Sequence, residues 1–133
     1  MRSKEAEEMS MADILIVDDN AAFRQTLKRI LLARFPSLYI REAADGDSAL
    51  KKTEKQTPDL IFMDLRLPGE NGFQLTKRIK AAHPEIVIVM ITSYDSSEYR
   101  EAAFASGADF FISKKASTAQ DILERIEGII SPI

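Results

Sequence analysis

Four groups of chemically useful side chains each follow directly on an apolar run. Asp18 and Asp19 follow Ile-Leu-Ile-Val at 14–17, and Asp64 follows Leu-Ile-Phe-Met at 60–63. Thr92 and Ser93 close the run that begins at Ile86, and Lys114 and Lys115 follow Ala-Asp-Phe-Phe-Ile-Ser at 108–113. Carboxylates are hard-oxygen ligands for divalent cations, and a carboxylate can attack phosphorus to give an acyl phosphate. Three carboxylates gathered in one place (Asp18, Asp19 and Asp64) repel one another unless something cancels their charge. Mg²⁺ does so naturally, because it uses one or two carboxylates together with waters and phosphate oxygens. An ammonium and a hydroxyl would add the electrophilic support that phosphoryl transfer needs.

That chemistry requires the groups to meet, and the elements around them say how. Short β-branched runs alternate with helical patterns, which is the signature of βα units on a parallel sheet. Strands are predicted at 14–17, 38–42, 60–64, 86–92 and 108–113, the second more polar and so nearer an edge. The first helix spans about 20–34, with Phe23, Leu27, Ile30 and Leu31 on one face. A weaker one follows at 45–56, with Ala49 and Leu50 apolar, and another at about 73–82, with Phe73, Leu75 and Ile79 inward. A fourth helix runs to Ser106 behind Asp95 or Ser96, with Asp95 and Glu98 fitting a capping box and Gly107 at its C′ position. The last begins near Ser117, which with Gln120 resembles a second capping box, and stripes Ile122, Ile126, Ile129 and Ile130. The alternation predicts an α/β, doubly wound parallel sheet of five strands with five helices. In such a sheet ligands bind outside the carboxyl ends of the strands, where the acids, Thr92 and the lysines fall.

Composition narrows the classes. A chain of 133 residues is one domain, able to bury a core without staples. The absence of cysteine excludes disulfides, thiolate metal sites and cysteine nucleophiles, and the single histidine, His83, excludes a His-rich metal site. His83 sits before Pro84 at a helix end and reads as a solvated residue, and Lys51, Lys52 and Lys55 read as a solvated face. Met63 and Met90 read as strand core. A net charge of −3 argues against nucleic-acid binding as the main role. No apolar stretch is long enough to span a bilayer, and residues 1–11 have charges where a secretory signal would be apolar. The expectation is a cytoplasmic domain over 12–133, with 1–11 as a disordered leader.

Taken together, VDDN, MDLRLPGENG, ITSY and GADFFISKK, in that order and each at a strand end, make residues 13–132 resemble the receiver domain of two-component response regulators. The resemblance implies a flavodoxin-like fold with strand order 2-1-3-4-5. It implies phosphorylation of Asp64 by a sensor histidine kinase or phosphotransfer protein, with Mg²⁺ (or Mn²⁺) as cofactor. Asp19 would ligate the metal directly, Asp18 directly or through water, and the backbone carbonyl of Arg66 would be a further ligand beside Asp64. Thr92 would bond the phosphoryl group, and Lys114 would pair with Asp64 before phosphorylation and with the phosphoryl oxygens after it. Phe111 stands at the aromatic switch position, and the fourth helix, fifth strand and fifth helix would form the responsive surface, with Tyr99, Arg100 and Phe111 on or near it. That surface would change partner or make a homodimer.

Several positions depart from the commonest family pattern. Lys115 replaces the usual proline after the active lysine, and the switch aromatic lacks a phenol hydroxyl. Arg66 and Tyr94 are bulky residues at two variable positions bordering the phosphoryl site, where they would restrict the attacking water. Lys114 is favoured over Lys115 as the active lysine, with Lys115 pointing elsewhere, and alternation makes Phe110 more buried than Phe111. Asp18 and Asp19 also suit a helix N-terminus, and Asp64 a turn. Two other functions compete. One is a degenerate receiver that binds partners without phosphorylation. The other is a phosphatase with an aspartate nucleophile, against which the adjacent acids and the lack of a cap insertion argue.

Overall fold

The computed structural model describes residues 12–130, so the expectation for residues 1–11 lies outside the described part. Five strands and five helices alternate along it. The strands are β1 (Asp13–Val17), β2 (Tyr39–Ala43), β3 (Leu60–Met63), β4 (Val87–Thr92) and β5 (Phe110–Ser113). The helices are α1 (Ala21–Arg34), α2 (Gly46–Lys55), α3 (Gly72–Ala82), α4 (Ser97–Ala105) and α5 (Ala119–Ile130). All pairings are parallel and the order is β2-β1-β3-β4-β5, as expected from the resemblance.

Period-2 alternation divides the core. Ile14, Ile16, Leu60, Phe62, Val89, Ile91 and Ile112 face one layer, where Leu27 and Leu31 of α1 and Ile122, Ile126 and Ile130 of α5 cover them. Leu15, Val17, Ile61, Met63, Ile88, Met90 and Phe111 face the other, under Ala49 of α2, Leu75 and Ile79 of α3 and Ala103 of α4. Both faces are buried, which is why β1, β3 and β4 read as unbroken apolar runs. The polar strand β2 is an edge, as predicted, and β5 is the other.

Register delivers the site. Val17 lies opposite Met63, so Asp18 and Asp64 emerge side by side, and Asp64 N–H donates to the Val17 carbonyl at 3.0 Å. Thr92 lies opposite Ser113, so Lys114 emerges beside the end of β4, its N–H on the Thr92 carbonyl at 2.9 Å.

The structure corrects three local expectations. Ser96, not Asp95, caps α4 by accepting from Tyr99 N–H, while the Asp95 carboxylate accepts instead from the Ser113 hydroxyl. Thr118 and Asp121, not Ser117 and Gln120, close the reciprocal box at the start of α5 (2.9 and 3.1 Å). Phe111, 2% exposed, is more buried than the half-buried Phe110. Alternation separates the two faces of β5 but not their cover. Phe111 turns under α4, with the Arg100 guanidinium 5.7 Å from its ring centre, whereas Phe110 packs at the margin of the α1–α5 layer. Tyr99 and Arg100 are exposed as expected, but Phe111 is interior. Gly107 takes φ +110° just beyond α4, a conformation that side chains disfavour.

Candidate phosphoacceptor site

The ends of β1, β3, β4 and β5 border a cleft of about 620 Å³. Asp18, Asp19, Asp64, Arg66, Tyr94 and Lys114 all line it. One carboxylate oxygen from each of Asp18, Asp19 and Asp64 lies within 4.8 Å of the other two. Asp18 and Asp64 are buried and Asp19 is exposed, so the cluster has a dry floor and an open side.

Each acid is held differently. Asp18 Oδ1 accepts from Asn20 N–H at 2.9 Å and Oδ2 from the Lys114 ammonium at 2.6 Å. Burial pushes the Asp18 carboxyl above its ordinary pKa, and neighbouring Asp64 adds to that rise. Lys114 and the Asn20 N–H pull the other way without overcoming it. Asp64 Oδ1 accepts from Leu65 N–H at 2.8 Å, and its Oδ2 faces Lys114 at 3.5 Å. Lys114 is thus closer to Asp18 than to Asp64, the partner expected from the resemblance.

The approach of α3 fixes the Asp64 backbone. Asn71 caps that helix with a reciprocal box to Gln74, and Gly72 N–H donates to the Leu65 carbonyl at 2.8 Å. A Cβ on Gly72 would sit 2.3 Å from the Asp64 carbonyl oxygen, so only glycine permits this contact.

The other predicted residues spread around this centre. Thr92 is fully buried at the end of β4 and does not line the cleft; its Oγ1 accepts from Tyr94 N–H at 3.3 Å. Arg66 and Tyr94 form one wall, the guanidinium 5.1 Å from the Tyr94 ring centre. Tyr94 meets Tyr99 edge-on at 5.9 Å, and Tyr99 stacks on Phe73 at 6.4 Å. Lys115 does line the cleft, contrary to expectation, although only Lys114 of the two is ion-paired among the described residues. The Lys114–Lys115 peptide is trans.

Sequence reasoning assigned no site role to Asn20 or Phe23, and it gave Thr92 the role at the end of β4 without assigning one to its neighbour Ser93. Asn20 was legible as an N-cap, since it follows two acids at a helix start and accepts from Phe23 N–H. Ser93 lines the cleft where Thr92 was expected. Phe23 reads from its spacing as ordinary helix packing, yet Lys114 Nζ stands 4.0 Å above its ring centre.

A parallel five-stranded α/β domain with clustered acids and a lysine at its carboxyl edge belongs to the class of open doubly wound folds, which bind ligands at that edge. Within that class, residues 14–127 match the family model of the response regulator receiver domain, and the chain belongs to that family. The chain is 36% identical over 111 residues to the oxygen regulatory protein NreC of Staphylococcus haemolyticus, covering 83% of this chain and 51% of that one. It is 28% identical to the transcriptional regulatory protein DegU of Brevibacillus brevis, covering 87% of this chain and 49% of DegU. The chain therefore spans about half the length of these curated relatives. A CheY-like receiver domain protein from Methanospirillum hungatei superposes with a TM-score of 0.82 at 30% identity, over 92% of this chain and 95% of that one. A LuxR-family response regulator from Aurantimonas superposes at 0.81 with 32% identity, over 92% and 86%. Among the described residues no helix is long and apolar enough to cross a membrane.

Proposed function

We propose that this domain accepts a phosphoryl group on Asp64 from a histidine kinase or phosphotransfer protein and works as a cytoplasmic signalling switch. One observation carries the reading: three carboxylate oxygens within 4.8 Å of one another, with one ammonium 2.6 Å from Asp18 and 3.5 Å from Asp64. The oxygen-only donor set, part buried and part open, fits a hard divalent cation. Asp18, Asp19, Asp64 and the Arg66 carbonyl would hold Mg²⁺, or Mn²⁺ in its place. When bound there, the ion offsets the carboxylate charge and draws negative charge from the phosphoryl oxygens.

The chain's own residues do the rest. Leu65 N–H fixes one Asp64 oxygen and leaves the other turned to Lys114. The Asp64 carboxylate attacks phosphorus in line, the bond from phosphorus to the donor imidazole nitrogen breaks, and an aspartyl phosphate forms. Lys114 moves its hydrogen bond to the new phosphoryl oxygens. Thr92 exchanges its long bond from Tyr94 N–H for one to the phosphoryl group, which draws in the end of β4. Phe111 lies on the same face as Met90 and, by alternation, Thr92, so its packing responds. The result is a population shift at the α4–β5–α5 surface, to control an output domain or a partner, or to form a homodimer. The product is a switched protein, not a released metabolite. Arg66 and Tyr94 wall the phosphoryl position and limit water, which sets the lifetime.

A beryllofluoride titration in Mg²⁺ tests the reading. Saturable binding that disappears in Asp64→Asn is the expected result. No binding by the unaltered protein would leave a phosphorylation-independent binding module instead.

A further inference from the structure

An ammonium has three N–H donors. Two sides of the Lys114 ammonium face Asp18 Oδ2 at 2.6 Å and Asp64 Oδ2 at 3.5 Å. The Phe23 ring takes another, its centre 4.0 Å from Nζ, whereas other cation–aromatic pairs among the described residues lie at 5.1–5.9 Å. The Lys114 side chain is only 15% exposed, and the attraction of a cation for a ring face strengthens as water is excluded.

Phe23 is itself fixed. Its N–H donates to Asn20 Oδ1 at 3.1 Å, Asn20 N–H donates to Asp18 Oδ1 at 2.9 Å, and its half-buried ring packs on the α1–α5 layer. The contacts form a closed circuit: Asp18 holds Asn20 with one oxygen and Lys114 with the other, and Phe23 joins the two.

Resting on the function proposed above, we propose that Phe23 is a positioning residue for Lys114, its ring face the seat that keeps the ammonium beside Asp64. The need follows from charge. A cation shared by Asp18, Asp19 and Asp64 repels the ammonium and weakens the pair with Asp18, the shorter of its two. The flexible lysine stem would then swing to solvent unless something uncharged retained it. An aromatic face does so without competing for the carboxylates.

Lys114 methylene resonances test the seat directly, in protein carrying ¹³C-labelled lysine and assigned by their loss in Lys114→Arg. The ring should shift the ε-methylene protons upfield in the unaltered protein and in Phe23→Tyr, but not in Phe23→Leu, which keeps apolar bulk without a π-face. With Mg²⁺ present, beryllofluoride affinity should fall about three- to tenfold in Phe23→Leu and return in Phe23→Tyr. Lysine resonances identical in all three proteins, or full affinity in a folded Phe23→Leu, overturn the proposal. An unaltered protein that takes no beryllofluoride refutes the function instead, while the resonances still decide the seat.

Discussion

Replacing Gly72 by alanine probes how α3 holds the phosphoacceptor. The added Cβ would lie 2.3 Å from the Asp64 carbonyl oxygen and 2.9 Å from Leu65 Cα, where ordinary contact starts at 3.4 Å. Both obstacles are backbone, so no side chain can swing away, and relief requires a displacement of about 1.1 Å. Overpacking of that kind costs about 1–3 kcal/mol. Losing the Gly72 N–H bond to the Leu65 carbonyl costs about 1 kcal/mol more, and alanine's better helix propensity returns up to about 1 kcal/mol. The expected net loss is about 1–3 kcal/mol, read as a lower urea midpoint. Gly128→Ala in α5 meets nothing within 4 Å and is the matched control, expected to gain about 0.5–1 kcal/mol. A nucleophile displaced by 1 Å loses on the order of a hundredfold in rate, so phosphoryl acceptance by Gly72→Ala should fall by about that factor. A Gly72→Ala protein with unaltered urea midpoint and unaltered acceptance rate would refute the close-packing argument.

Asp18→Asn should stabilise the metal-free protein at neutral pH. The Asp18 carboxyl is raised in the fold, so the folded state binds more protons than the unfolded state between the ordinary and the raised pKa, and stability falls as pH rises through that window. The advantage of the variant should shrink on acidification and vanish below the ordinary Asp pKa of about 3.9. Urea midpoints across pH check this, and an advantage independent of pH would contradict it; Mg²⁺ should stabilise the unaltered protein more than the variant. Arg66→Ala and Tyr94→Ala should each shorten the phosphoryl lifetime by opening the wall to water, measured as loss of labelled phosphate from Asp64. Unchanged dephosphorylation in both would show that the wall does not set that rate.

Much of the cleft was legible because it depends on the backbone. In a parallel sheet the residue after each strand emerges at one edge, so Asp18, Asp64 and Lys114 are brought together by strand recognition and register. What depends on side-chain direction was not legible. Lys114 lies nearer Asp18 than Asp64, and the Thr92 hydroxyl accepts from Tyr94 N–H. Phe23 shares the 3.6-residue spacing of ordinary packing positions, and nothing in the pattern marks the end of the stripe that meets a lysine 91 positions later. The α4 cap fell to Ser96, one of two candidates, without the Asp95–Glu98 box, and the α5 box slipped by one residue, because adjacent Asp, Ser and Thr residues compete for the same role. Phe110 and Phe111 exchanged rank because burial on an edge strand depends on which helix overhangs it.

The sheet also partitions any mechanical response. Ser113 and Asp95 tether the loop after β4 to the adjoining carboxyl end of β5, and Thr92 belongs by alternation to the layer of Met90 and Phe111. Strain entering at Thr92 would therefore pass to Phe111 and α4, and on to α5 through the Arg125 bond to the Phe111 carbonyl, while α1 lies behind the strands. A partner reading the α4–β5–α5 side would follow the chemical state, whereas one reading α1 would meet a face set apart from that route.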